Sequence, residues 1–174
     1  MKTLFLTVAL AATVLSANAK NDNSRGYPIT PVPFTSVKVW DNSFWGQRLE
    51  TSRKVTIPLA FSKCESEGRY KNFERAAHPS NKYDVGKLMP YPFDDTDIYK
   101  TIEGASYILQ TYPDKRLKQY MDSILNLVAA AQEPDGYLYT ARTQNPEHPH
   151  PWSGATRWSE EENLSHELYN LGHM

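Results

Sequence analysis

The sequence predicts an all-α protein built as an incomplete α/α toroid behind a short extended lead-in. Three observations carry that prediction. Residues 94–134 hold two apolar stripes at helical spacing joined by a tight turn, which reads as an αα-hairpin. Four or five helices can be traced along the chain, with one weak strand. The connection from Pro134 to Ser159 is long and aromatic, whereas a helical bundle uses short connections throughout. Paired helices in two rings, with loops at one end shaping a cleft, fit this pattern.

Taken in order, Met1–Lys20 has a basic Lys2, an apolar run over Leu4–Leu15 and Ala17-Asn18-Ala19 as an A-x-A site. These are the parts of a secretory signal in their usual order, and the run is shorter than the ~20 residues that span a bilayer. The sequence thus predicts a leader over 1–19, a secreted or periplasmic mature chain, and no membrane attachment after cleavage. A buried N-terminal helix is the competing reading. Residues 20–40 read as the lead-in, with a short strand over Phe34–Val39, and the helical region occupies 41–174.

Asn42 or Ser43 can cap a helix from Phe44. Pro58 is expected to break it and to open the next helix, which ends at Gly68. Tyr70–Pro92 has no sustained period and four Pro or Gly interruptions at Pro79, Gly86, Pro90 and Pro92. It is expected to lack regular structure, and either to cover a site or to lie solvated on the surface. Asp94, Asp95 and Asp97 load the start of the next helix, whose stripe is Ile98, Ile102, Ala105, Ile108 and Leu109. Asp114 caps its partner, with Leu117, Met121, Ile124, Leu125 and Val128, and Pro134-Asp135-Gly136 stops it. A last helix is expected from about Ser159–Asn163, behind Glu160, Glu161 and Glu162, through Leu164, Leu168 and Leu171. Met174 ends the chain in mid-pattern without a stop signal, so a truncated polypeptide is expected, with a frayed natural terminus as the alternative.

Composition narrows the function. Nineteen Lys+Arg against 20 Asp+Glu leave a formal charge of −1, with no electrostatic footprint for nucleic acid or an anionic membrane. One Cys permits no internal disulfide and no Cys-based zinc knuckle. Trp, Tyr, His and carboxylates share the same loops, and sugars need both aromatic faces and polar hydrogen-bonding groups. Exposed Tyr and Trp also mark protein interfaces.

Ser165–His173 is the most specific stretch. His166 and His173 are seven apart, ~10 Å along a helix axis, too far to close on one metal ion as an HExxH pair does. What remains is one helical face carrying His166, Tyr169, Gly172 and His173, with close helix approach as a reason for Gly172. Each His reads equally as a packing residue. Asp95, Asp97 and Glu103 could form an acid/base pair, but capping and pairing with Lys100 explain them more simply. Gln132–Leu138 is a helix stop and turn, with Gly136 able to take positive φ. Cys64 has no clearly cationic, accessible surroundings and reads as structural.

Phe44-Trp45, Asn72-Phe73, Phe93–Lys100 with Glu103, Gln132–Leu138 and Ser165–His173 together resemble the N-terminal part of the β-L-arabinofuranosidase family, glycoside hydrolase family 127. The resemblance spans most of the mature chain. It implies the N-terminal helical hairpins of an (α/α)6 catalytic domain, acting in the full-length protein on oligo- or polysaccharides of plant origin and releasing L-arabinofuranose with retention. It further implies a zinc-bound Cys nucleophile and a Glu acid/base, neither with a counterpart here, so zinc is expected for the full-length protein with no ligands and no catalytic residue in this chain. His166 matches the family's sugar-contacting His. Asp95, Asp97, Tyr99, Glu167, Tyr169 and His173 are possible site-lining residues. A different α/α toroid enzyme, such as an unsaturated uronyl hydrolase or polysaccharide lyase, and a non-catalytic sugar-binding module are the alternatives. Residues 20–174 alone are expected to lack hydrolase activity and tight zinc binding.

Overall fold

A computed structural model describes residues 29–174. The expected leader and the first part of the lead-in lie outside the described residues. The chain divides into two units, 1–36 and 37–174. In the first, Phe34–Ser36 forms one 3-10 turn, closed by Ser36 N–H on the Pro33 carbonyl at 2.8 Å. This replaces the strand expected over Phe34–Val39: no neighbouring strand exists among the described residues for it to pair with, and an unpaired strand leaves its backbone groups without partners.

The second unit is all-α. Ser43 caps α1 (Phe44–Thr51), its hydroxyl accepting the Gly46 N–H at 3.0 Å. Pro58 does not break the chain's path. Ser52–Thr56 form a widened π-turn in which Ile57 N–H reaches the Ser52 carbonyl, and α2 (Ile57–Ser66) continues from it. Proline lacks an N–H and its ring crowds the carbonyl four residues back, and the wider turn just ahead makes room for it. Gly68, at φ 79°, ends this run in the left-handed conformation that costs glycine little.

α3 (Arg69–Ala77) and the single-turn α4 (Val85–Leu88) occupy the stretch expected to be irregular. α3 buries Asn72, Phe73 and Ala76 on one face among charged neighbours. So narrow a stripe carries little periodic signal, and tertiary packing against α5 (Asp95–Thr111) and α6 (Lys115–Ala131) holds the helix instead. Burying Phe73 or Ile98 fully contributes ~1.5–3 kcal/mol each relative to exposure.

The α5–α6 hairpin forms as expected. Asp114 Oδ1 accepts the Arg116 and Leu117 N–H groups at 2.8 and 3.1 Å, and Gly136 turns the chain after α6 at φ 90°. α5 is the central element, packed against α2, α3, α6 and the terminal helix α8 (Glu167–His173). The core lies among α2, α3, α5 and α6, around Phe61, Phe73, Ile98, Ala105, Met121 and Ile124.

The long connection before α8 is buried over 137–145, with exposed turns on either side. It contains α7 (Thr140–Thr143) and a 3-10 turn at Pro151–Ser153. α8 begins several residues later than expected. Glu160 and Glu161 serve local turns, with Asn163 Nδ2 donating to Glu160 at 2.6 Å, and Glu161 accepting the Leu168 N–H from outside the helix at 3.1 Å. A carboxylate satisfies an N-terminal helix N–H wherever the turn delivers it, so acidic residues need not lie inside the first turn. Gly172 has no close neighbour among the described residues. A close approach of α5 to α2 occurs at Gly104, where an added Cβ would lie 3.1 Å from Ile57 Cδ1. Among the described residues no helix is long and apolar enough to cross a membrane.

Candidate sugar-binding site

The start of α5 and the start of α8 meet at a cleft of about 380 Å³ lined by Phe93, Thr96, Asp97, Lys100, His166 and Tyr169. His166 precedes α8 rather than lying within it. It adopts the left-handed conformation at φ 54°, which is uncommon for a residue other than glycine. Its ring lies 4.8 Å from Phe93 and 6.0 Å from Tyr169, centroid to centroid. On its other side Tyr169 meets His173 edge-on at 4.7 Å. The expected common face therefore does not form. His166 lines the first cleft, whereas His173 lines a second, of about 540 Å³, with Tyr99, Ile102, Glu103 and Leu125.

The rings continue beyond His166. Phe93 stacks on Tyr91 at 5.4 Å, and Tyr91 contacts Trp152 at 6.2 Å. Tyr91, Trp152 and Tyr169 are all exposed, so the cleft opens beside a partly exposed aromatic border.

The aspartates of α5 divide into distinct roles. Asp97 faces the cleft and pairs with Arg69 Nε at 3.0 Å. Asp94 is buried, with Oδ2 3.1 Å from Arg69 Nη1, near enough for ion pairing but outside hydrogen-bond alignment. Burial pushes its carboxyl up to about 6 against the pull of Arg69. Asp94 makes no side-chain cap to α5, its side chain being turned to the Arg69 guanidinium. Asp95 is closed off from solvent and accepts the Thr140 N–H at 2.8 Å and the Thr140 hydroxyl at 2.6 Å. Burial raises its carboxyl to about 7, the two hydrogen bonds pulling the other way.

Lys100 does not pair with Asp97 or Glu103 as helix spacing suggested. Its Nζ donates to the Tyr169 hydroxyl at 2.5 Å, because α8 packs on α5 there and the nearer carboxylate is held by Arg69. Tyr99 is buried edge-on against Phe73 at 5.9 Å, and its hydroxyl has no hydrogen-bond partner among the described residues. Burial pushes that phenol far above its ordinary value. Glu167 is 1% exposed, and it accepts the Tyr137 hydroxyl and, at 2.7 Å, the Trp158 N–H.

Sequence reasoning passed over Arg69, Tyr137 and Thr140. Arg69 and Thr140 lie 28 and 45 residues from the carboxylates that they meet, and no local spacing reports such a pair. Cys64 is buried with a free thiol near Thr101, and burial raises its pKa. Among the described residues no group of three or more His, Cys, Asp or Glu could hold a metal ion. The described residues offer no donor set that fits zinc.

A family model described as "Beta-L-arabinofuranosidase, GH127 catalytic domain" matches residues 36–174. The chain belongs to glycoside hydrolase family 127. A solved structure of a GH127 β-arabinofuranosidase is 72% identical, with a TM-score of 0.80, over 85% of this chain and 23% of that one. A GH127 β-L-arabinofuranosidase from Geobacillus stearothermophilus T6 is 29% identical, with a TM-score of 0.61, over 75% of this chain and 20% of that one. A non-reducing end β-L-arabinofuranosidase from Bifidobacterium longum is 40% identical over 81 residues, 47% of this chain and 12% of the relative. This family 127 chain thus spans less than a quarter of the relatives it matches, and it is a partial α/α toroid.

Proposed function

We propose that the full-length protein is a retaining glycoside hydrolase that removes L-arabinofuranose from plant-derived glycans outside the cytoplasm, with this chain supplying one wall of the sugar site. The observation that carries the reading is His166, an imidazole set in a cleft between Phe93 and Tyr169 with Asp97 and Lys100 alongside. An aromatic face packs against the C–H surface of a sugar ring, and the neighbouring nitrogen, ammonium and carboxylate groups bond its hydroxyls. Membership of family 127 and relatives named as β-L-arabinofuranosidases support the choice of sugar. Secretion rests on the leader-like residues 1–19. In this reading zinc belongs to the full-length protein, with its ligands outside the residues described.

His166→Ala in the full-length protein tests the reading. It is expected to lower kcat/KM on an aryl β-L-arabinofuranoside by about 100-fold, with circular dichroism and zinc content unchanged. Wild-type kinetics in this variant would remove His166 from the site.

A further inference from the structure

The strained backbone at His166 is held by a buried cage, and Glu167 is its hub. Two non-glycine residues among those described have positive φ, Trp158 at 66° and His166 at 54°. Glu167 ties them together. One carboxylate oxygen accepts the backbone N–H of Trp158 at 2.7 Å, and Glu167 is itself the residue after His166. Its other oxygen accepts the Tyr137 hydroxyl, and Tyr137 packs edge-on against Trp158 at 5.4 Å.

The backbone on either side of the imidazole is held as well. Tyr139 donates its hydroxyl to the Ser165 carbonyl at 2.6 Å. Asn170 grips the His166 carbonyl with its N–H at 2.9 Å and its side-chain amide at 2.8 Å. Arg142, with Nε 3.9 Å from Glu167, places Nη2 on the carbonyls of Ser153, Gly154 and Thr156. A left-handed non-glycine residue is unfavourable and persists only where its surroundings over-determine it, as they do here. A solvent-facing helix start has no need of such a cage.

We infer that Glu167 is a positioning residue, a buried carboxylate that holds His166 in its left-handed conformation so that the imidazole faces the bound sugar. This rests on the reading that His166 meets the sugar. The carboxylate suits the task because it only accepts, and both groups at its oxygens donate. Glu167 is 1% exposed and does not line the cleft at His166, so it acts through its neighbour.

The test is a double-mutant cycle in the full-length enzyme, reading kcat, KM and melting temperature. Glu167→Ala is expected to lower kcat/KM by about 10–100-fold per folded molecule. The Glu167→Ala, His166→Ala double variant is expected to be no worse than His166→Ala alone, since both remove one function. Glu167→Gln is expected to recover most of the loss, its carbonyl taking the Trp158 N–H and its amide donating to the Tyr137 hydroxyl. Tyr137→Phe gives a milder probe should Glu167→Ala fold poorly, with a severalfold loss that likewise vanishes in the His166→Ala background. Losses that multiply across the cycle, or folded variants with wild-type kcat/KM beside an impaired His166→Ala, would overturn the inference alone. A silent His166→Ala would overturn the sugar-contact reading and this inference with it.

Discussion

Asp95 and Thr140, 45 residues apart, are joined twice: the carboxylate takes both the backbone N–H and the hydroxyl of Thr140 with solvent excluded. This contact fastens the start of α5 to the long connection that leads to His166. It also makes a carboxyl that resists ionisation part of the frame of the site.

Stability should therefore depend on pH in a definite sense. Burial raises the Asp95 carboxyl to about 7, above its unfolded value of about 3.9. Its contribution is full below pH ~4 and is lost as pH rises through about 7. In Asp95→Asn, an amide that donates to the Thr140 hydroxyl and accepts its N–H keeps the contact without the charge. The expected outcome, read as the difference between variant and wild type in denaturant titrations, is that Asn gains on Asp as pH rises from about 4 to about 7 and that the difference levels off above that. A constant difference would contradict the burial argument.

Arg69 is shared between the buried Asp94 and the cleft-facing Asp97. Replacing it with Met leaves the Asp94 carboxylate without its cation. A loss of about 1–3 kcal/mol is expected, part of it regained by adding Asp94→Asn. Urea melts of the two single variants and the double variant measure this, and strictly additive losses would count against the pair.

The Cys64 thiol is buried in the α2–α5 interface, and burial raises its pKa. Thiolate is the reactive form, so iodoacetamide at pH 8 should modify the folded protein far more slowly than the urea-unfolded chain. Equal rates would show an open thiol. Cys64→Ala should leave zinc content and kcat of the full-length protein unchanged, at a modest cost in stability.

A polypeptide of residues 20–174 is expected to release no arabinose and to bind no zinc tightly, since no donor cluster exists among the described residues. Equilibrium dialysis against zinc, with a parallel hydrolysis assay, checks both.

Much of the frame was legible in the sequence. The α5–α6 hairpin, the Asp114 cap and the Gly68 and Gly136 stops follow from spacing and turn chemistry, which act over a few residues. α3 was not legible, because a face of Asn72, Phe73 and Ala76 is too narrow to announce a helix that neighbours hold in place. Nor was the late start of α8, where Glu161 reaches the helix from outside it.

By itself the sequence determined an all-α chain of family 127 character, with aromatic and ionisable residues in its loops and a candidate imidazole at His166. Tertiary structure alone decided which of those residues share a cleft, that Asp94, Asp95 and Glu167 turn inward, and that His166 stands in a left-handed backbone conformation. The reason is range. Helical period and capping are set by neighbours within a turn or two, whereas the partners of a buried carboxylate come from wherever packing brings a donor, as Thr140 comes to Asp95 and Tyr137 to Glu167.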